Sequence, residues 1–180
     1  AGLWSGNNFE LMILGDGAID PRNGAIYLSY IDMGTFKSLD AGNTWKQLNA
    51  AGHFAGGNPE ALVVNPFSGE VFVSVESGKV LASTDGGENF RETMNKLAYQ
   101  FAFGSDGTPY AAIDDGVMMR NAQGVWNVIG DLRNVRSLAM PHSTLYAGNS
   151  EGVWKLDVGS WRKIADVQGL KAGGLVGYPG

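Results

Sequence analysis

Four short segments set a carboxylate just ahead of a glycine: Ile31-Asp32-Met33-Gly34, Val75-Glu76-Ser77-Gly78, Ile113-Asp114-Asp115-Gly116 and Ser150-Glu151-Gly152. If these turns gather around one pocket, they present a ring of acids from which two can act as general acid and general base. Hydrolysis of a glycosidic bond needs such a pair on either side of the scissile atom. Glu76 and Glu151 would then accept hydrogen bonds from sugar hydroxyls. The longest connection, residues 49–60, is rich in glycine and brings His53, Phe54 and Glu60. There an aromatic ring can stack on a sugar, the imidazole can donate a hydrogen bond, and long loops of this kind often carry function. The plainer reading of the same pattern stays open, because an acid followed closely by glycine is ordinary hairpin-turn chemistry.

Composition narrows the alternatives. The chain has 180 residues with 44% hydrophobic and 17% charged side chains, enough for a sizeable core in one domain. Its net charge is −5 and it has no basic run, so neither nucleic acid nor an anionic membrane is an expected partner. No apolar stretch approaches the roughly 18 residues of a membrane-spanning helix. There is no cysteine, which excludes thiol catalysis and a disulfide scaffold. His53 and His142 lack metal-ligand spacing and no phosphate-binding glycine loop is present, so no metal and no cofactor is expected. The chain opens at Ala1 and reads as a processed product or an excised piece.

The elements that must position the acids repeat along the chain. Ser38-Leu39-Asp40-Ala41-Gly42-Asn43-Thr44-Trp45 and Ser83-Thr84-Asp85-Gly86-Gly87-Glu88-Asn89-Phe90 share the pattern S-x-D-x-G-x-[TN]-[WF]. Residues 121–126 and 157–161 are eroded copies, the latter keeping Asp157, Gly159 and Trp161. In this motif an Asp carboxylate can accept backbone N–H groups, the glycine takes a positive φ, and the aromatic packs between repeats. These acids are therefore read as structural, and the eroded copies are expected to hold their turns less well. Upstream of each copy run short apolar segments, with Tyr27, Phe72, Tyr110 and Tyr146 at equivalent places. Each repeat thus reads as four strands, a to d, with the Asp motif between c and d. Four short strands per roughly 40 residues, separated by glycine-rich turns (27 glycines in all), predict an all-β propeller blade. The expected repeats span 17–60, 61–100, 101–136 and 137–172 of a single domain over 1–180. Residues 1–13 and 173–180 would be strands of a split fifth blade, in a complete small propeller or a slice of a larger one. Trp4, Phe36 and Trp154 are expected at one equivalent strand-c position, packing between blades.

These motifs closely resemble the bacterial neuraminidase repeat, or Asp-box, family of sialidases, xyloglucan-degrading glycosidases, sortilin-type receptors and photosystem assembly factors. The resemblance implies a propeller whose ligands bind over the b–c and d–a loops, opposite the Asp-boxes. Residues 27–37 are similar to the turn after strand b that carries a catalytic aspartate in xyloglucanases, with Thr35 replacing a second glycine. The resemblance therefore implies Asp32 as catalytic carboxylate and Asp115 as its partner, on a poly- or oligosaccharide. A sialidase would need an arginine cluster and a tyrosine nucleophile supported by a glutamate. Only Arg133 and Arg136, in a d–a loop, could face the ligand side together, and the arginine-bearing motif that precedes the first Asp-box in sialidases is absent, so sialidase activity is not expected. A secreted setting, extracellular or periplasmic, follows from the same resemblance, as do the remaining blades of a larger propeller, or a second copy, as further partners. A glycan- or protein-binding propeller without catalysis, or a scaffold, is the alternative.

Overall fold

The computed structural model describes residues 3–5, 14–31, 33–48 and 58–166. The chain forms two compact units, Ala1–Leu97 and Ala98–Gly180. In the first, β1 (Leu3–Ser5), β2 (Leu14–Ile19), β3 (Ile26–Tyr30), β4 (Gly34–Ser38) and β5 (Thr44–Gln47) make one sheet in the order β1-β5-β4-β3-β2. The second sheet of that unit is β6 (Pro59–Val64), β7 (Val71–Val75), β8 (Lys79–Ser83) and β9 (Arg91–Met94), in chain order. The second unit holds β10 (Gln100–Phe103), β11 (Pro109–Ile113), β12 (Gly116–Arg120) and β13 (Trp126–Ile129). It also holds β14 (Ser137–Ala139), β15 (Tyr146–Asn149), β16 (Gly152–Asp157) and β17 (Ser160–Asp166). All pairings are antiparallel: β2–β5 and each of the other three sheets form meanders, and β1 adds beside β5. Among the described residues the fold is that of an all-β propeller, with four blades, two in each unit.

Burial follows strand order. The second strand of a blade is covered on both faces, and β7, Val-Phe-Val-Ser-Val, is buried at every position. β-Branched and aromatic residues suit that environment. The outer strands are wet: β17 is exposed at all positions except Trp161. In the first unit Tyr27 and Leu48 pack with Leu62, Val71, Val73 and Val75 between the two blades. On the other face of the first blade, Tyr30 meets Phe36 edge-on at 5.8 Å, with Trp45 beside them. Adjacent inner strands are latched alike in both units. Asp16 Oδ2 accepts the Leu62 N–H at 2.8 Å, and Gln100 Oε1 accepts the Leu138 N–H at 2.8 Å.

The two full Asp motifs fold into the same turn. Ser38 Oγ donates to Asp40 Oδ1 (2.8 Å) and accepts the Gly42 N–H (2.9 Å), while Asp40 accepts the N–H and hydroxyl of Thr44. Ser83, Gly87, Asp85 and Asn89 repeat those bonds, with Asn89 Nδ2 standing in for the hydroxyl. Hydrogen bonds from Thr44, and from Asn89, hold both carboxyls below the ordinary carboxylate range, so Asp40 and Asp85 remain ionised anchors. Trp45 is buried and donates its indole N–H to Gly42 O; Phe90 packs against the core cluster. In the third copy Asn121 Oδ1 still accepts the N–H groups of Gln123 and Val125. The fourth is a two-residue hairpin, Val158-Gly159, with φ of 46° and 82°, and Asp157 instead faces Arg162. Its conformation comes from the turn geometry that twisted hairpins favour, while Trp161 is buried as expected.

Two expectations need correction. Residues 3–5 are not strand c of another blade: they add to the outer edge of β5, with Trp4 opposite Trp45. Trp4 is therefore not equivalent to Phe36 and Trp154. An outer strand carries unpaired backbone N–H and C=O groups, and a further strand satisfies them. The first inner strand also begins earlier than residue 17, at Leu14, and stops at Ile19. It ends there because Asp20 closes the turn: its carboxylate, 1% exposed, accepts the Arg22 N–H and guanidinium and the Asn23 amide. Asn65 Oδ1 accepts the N–H groups of Phe67 and Ser68 in the corresponding turn of the next blade. Asp20-Pro21-Arg22-Asn23-Gly24 and Asn65-Pro66-Phe67-Ser68-Gly69 are thus a second repeated motif.

Candidate functional site

Asp32, His53 and Phe54 lie outside the described residues. Glu60 is exposed at the irregularity between Pro59 and Ala61, where β6 bulges against β7. The Glu76 carboxylate accepts the backbone and side-chain N–H groups of Asn58, at 3.3 and 3.2 Å, and so pins the b–c turn to the start of β6. Asp115 is exposed, and its backbone carbonyl accepts Arg133 Nη1 at 2.8 Å. Glu151 is exposed and faces a cleft.

That cleft, of about 260 Å³, belongs to the second unit. The loop between β13 and β14 supplies Asp131, Leu132 and Arg133; β15 and the turn after it supply Asn149 and Glu151; β16 and β17 supply Trp154 and Trp161. The loop is held at both ends of its run. Asn134, with φ of 54°, donates its N–H to Asp114 O at 2.7 Å, and Arg136 N–H reaches Gly148 O at 2.9 Å. The Asp114 carboxylate binds Arg136 at 2.7 Å and the Tyr99 hydroxyl at 3.1 Å, and the Arg136 guanidinium lies 3.9 Å from the Tyr99 ring centroid. Trp161 closes one wall by donating its indole N–H to Ile129 O at 3.1 Å. Gly130 permits this, since a Cβ there would lie 2.5 Å from the Trp161 ring. Trp154 packs one side against the core while lining the cleft with the other, and Lys163 Nζ sits 5.6 Å from its ring centroid.

The arrangement offers two carboxylates, one guanidinium and two indoles around a small concavity. Carboxylates accept from hydroxyls, a guanidinium donates in a plane, and an indole covers apolar C–H faces. Of the residues nominated from sequence, the structure brings Glu151 and the Asp115 carbonyl to Arg133. Asp131, Asn149 and the cleft-facing side of Trp154 were not anticipated as lining a concavity. One signal was available for Asn149. Counting three residues on from Tyr27, Phe72, Tyr110 and Tyr146 gives Tyr30, Val75, Ile113 and Asn149, so a buried apolar position turns polar in the last blade alone. Among the described residues no group of three or more acidic or histidine side chains could hold a metal ion, and no helix is long and apolar enough to cross a membrane.

No protein-family model and no curated protein matches the chain. Solved structures do. An ancestral GH74 enzyme superposes with a TM-score of 0.71 at 25% identity, covering 84% of this chain and 24% of that one. YCF48 from Cyanidioschyzon merolae gives 0.63 at 15% identity, covering 91% and 59%. The extracellular domain of a hybrid two-component system from B. thetaiotaomicron gives 0.69 at 10% identity, covering 86% and 22%. The chain spans less than two thirds of each of these proteins, and the last two likenesses concern the fold alone.

Proposed function

We propose that this chain is a carbohydrate-directed Asp-box propeller, akin to the GH74 glycoside hydrolases, that holds a saccharide in the second-unit cleft in an extracellular or periplasmic setting. The observation that carries the reading is the half-buried Trp154 lining a concavity together with Asp131, Glu151 and Arg133. A pyranose presents C–H groups on its faces and hydroxyls at its rim, and this set of side chains meets both. Binding is favoured over hydrolysis because both carboxylates are exposed, whereas a glycosidase acid works from an apolar enclosure. If hydrolysis occurs, Asp131 and Glu151 are the acids that this cleft offers. Asp32 and Asp115 stay the alternative pair.

Calorimetric titration with cellotetraose and a xyloglucan oligosaccharide, alongside reducing-end release from both, tests the proposal. Trp154→Ala is expected to weaken binding about tenfold or more, the loss of roughly 1.4 kcal/mol or above. Glu151→Gln is expected to abolish any release of reducing ends while leaving a bound complex. Affinity unchanged by Trp154→Ala would refute the cleft as the saccharide site.

A further inference from the structure

We infer that Asn149 is the positioning residue of this cleft, a single buried amide that orients Trp154, Glu151 and Arg133 for the ligand. The inference rests on the saccharide-binding reading of the cleft and adds the residue that organises it. Asn149 is only 4% exposed, and its polar groups are spent on three partners that all line the cleft. Its Oδ1 accepts the Glu151 N–H at 3.0 Å and the Trp154 indole N–H at 3.1 Å. Its Nδ2 donates to Arg133 O at 3.0 Å. The orientation of the amide is dictated by these partners, since two donors converge on one atom and a carbonyl faces the other.

The repeat makes the case sharper. Tyr30, Val75 and Ile113 fill the same strand-b position in the other blades and are 7%, 0% and 1% exposed, so the scaffold needs an apolar side chain there and tolerates several. A buried amide in place of an apolar side chain costs free energy unless its hydrogen bonds are made. Here all three bonds go to cleft residues on separate segments: the turn after β15, strand β16 and the loop before β14. No other blade has this device among the described residues, and the cleft is formed where it occurs. The indole of Trp154 is held by its N–H, the backbone of Glu151 by its own N–H, and Arg133 from two directions, through its carbonyl and through Nη1 on Asp115 O. Preorganisation of this sort lowers the ordering cost of binding.

The test reads the tryptophan indole N–H resonances of the full chain by ¹H–¹⁵N NMR, with Trp154 assigned through Trp154→Phe, with and without cellotetraose. Asn149→Leu should move the Trp154 resonance and speed its solvent exchange, leave those of Trp45 and Trp161 in place, and weaken cellotetraose binding about tenfold. Asn149→Asp keeps both acceptor bonds and sets a carboxylate against Arg133 O. It should preserve the Trp154 resonance yet still weaken binding several-fold, a split that general destabilisation would not produce. A Trp154 resonance unmoved by Asn149→Leu overturns the positioning role whatever the affinity does. A moved resonance in a protein whose wild type ignores cellotetraose and the xyloglucan oligosaccharide supports the three-bond device but overturns the saccharide reading.

Discussion

Gly130→Ala and Gly159→Ala together isolate what the wall of the cleft contributes. Both glycines lie in the second unit with left-handed backbone, φ of 67° and 82°. An alanine in that conformation costs about 1–2 kcal/mol at either site. Their surroundings differ. A Cβ at Gly159 meets nothing within 4 Å, whereas at Gly130 it would lie 2.5 Å from Trp161 Cδ1 and 2.6 Å from Nε1. The ring must move, breaking its bond to Ile129 O, worth about 1 kcal/mol. Re-exposing half of a ring that buries roughly 200 Å² costs about 2.5 kcal/mol more at about 25 cal/mol per Å². Gly130→Ala is therefore expected to be less stable than Gly159→Ala by about 3 kcal/mol, read from urea unfolding followed by far-ultraviolet circular dichroism. Gly130→Ala should also lose saccharide affinity, which Gly159→Ala should keep. A stability gap below about 1 kcal/mol would refute the reasoning, because Trp161 would then yield without loss of packing.

Two further outcomes follow from the turns. Arg22 hydrogen bonds hold the Asp20 carboxyl below its ordinary value of 3.8, so its contribution to stability is complete above that pH and is lost as pH falls through the lower folded value. Acid unfolding should accordingly steepen below about pH 4 in the wild type and flatten in Asp20→Asn; identical acid limbs would refute the role given to Asp20. Ser83→Ala, at a serine 1% exposed, leaves the Gly87 N–H without its acceptor and should cost about 1–2 kcal/mol in thermal or urea unfolding. No change would mean that water replaces the hydroxyl.

Much of the architecture was legible in the chain. The spacing of Trp45 and Phe90, the aromatics Tyr27, Phe72, Tyr110 and Tyr146, and the glycine turns point to four-stranded blades, and the observed sheets follow. The paired Asp and Asn turns around Pro21 and Pro66 follow the same local logic, a side chain accepting N–H groups two and three residues on. Residues 3–5 illustrate the opposite case. A three-residue strand has no periodicity to identify its partner, and only the open edge of β5 supplies one. Trp154 matches Phe36 in register but not in environment: Phe36 is fully buried, while Trp154 packs against the core and also lines the cleft.

The division between the two kinds of information follows the range of the interactions. In the turns Ser38 reaches Asp40 two residues away and Asp40 reaches Thr44 four residues away. Such bonds are written in a local pattern, so residue types at fixed spacing determine the turn, the strand that follows and the period of the repeat. In the cleft Asn149 meets Arg133 across 16 residues, Arg133 meets Asp115 across 18, and Trp161 meets Ile129 across 32. No local spacing encodes those distances. They exist only once one blade packs on the next, and it is that packing, through a buried amide and a glycine without a Cβ, that decides which acids, cation and indoles face the same small volume.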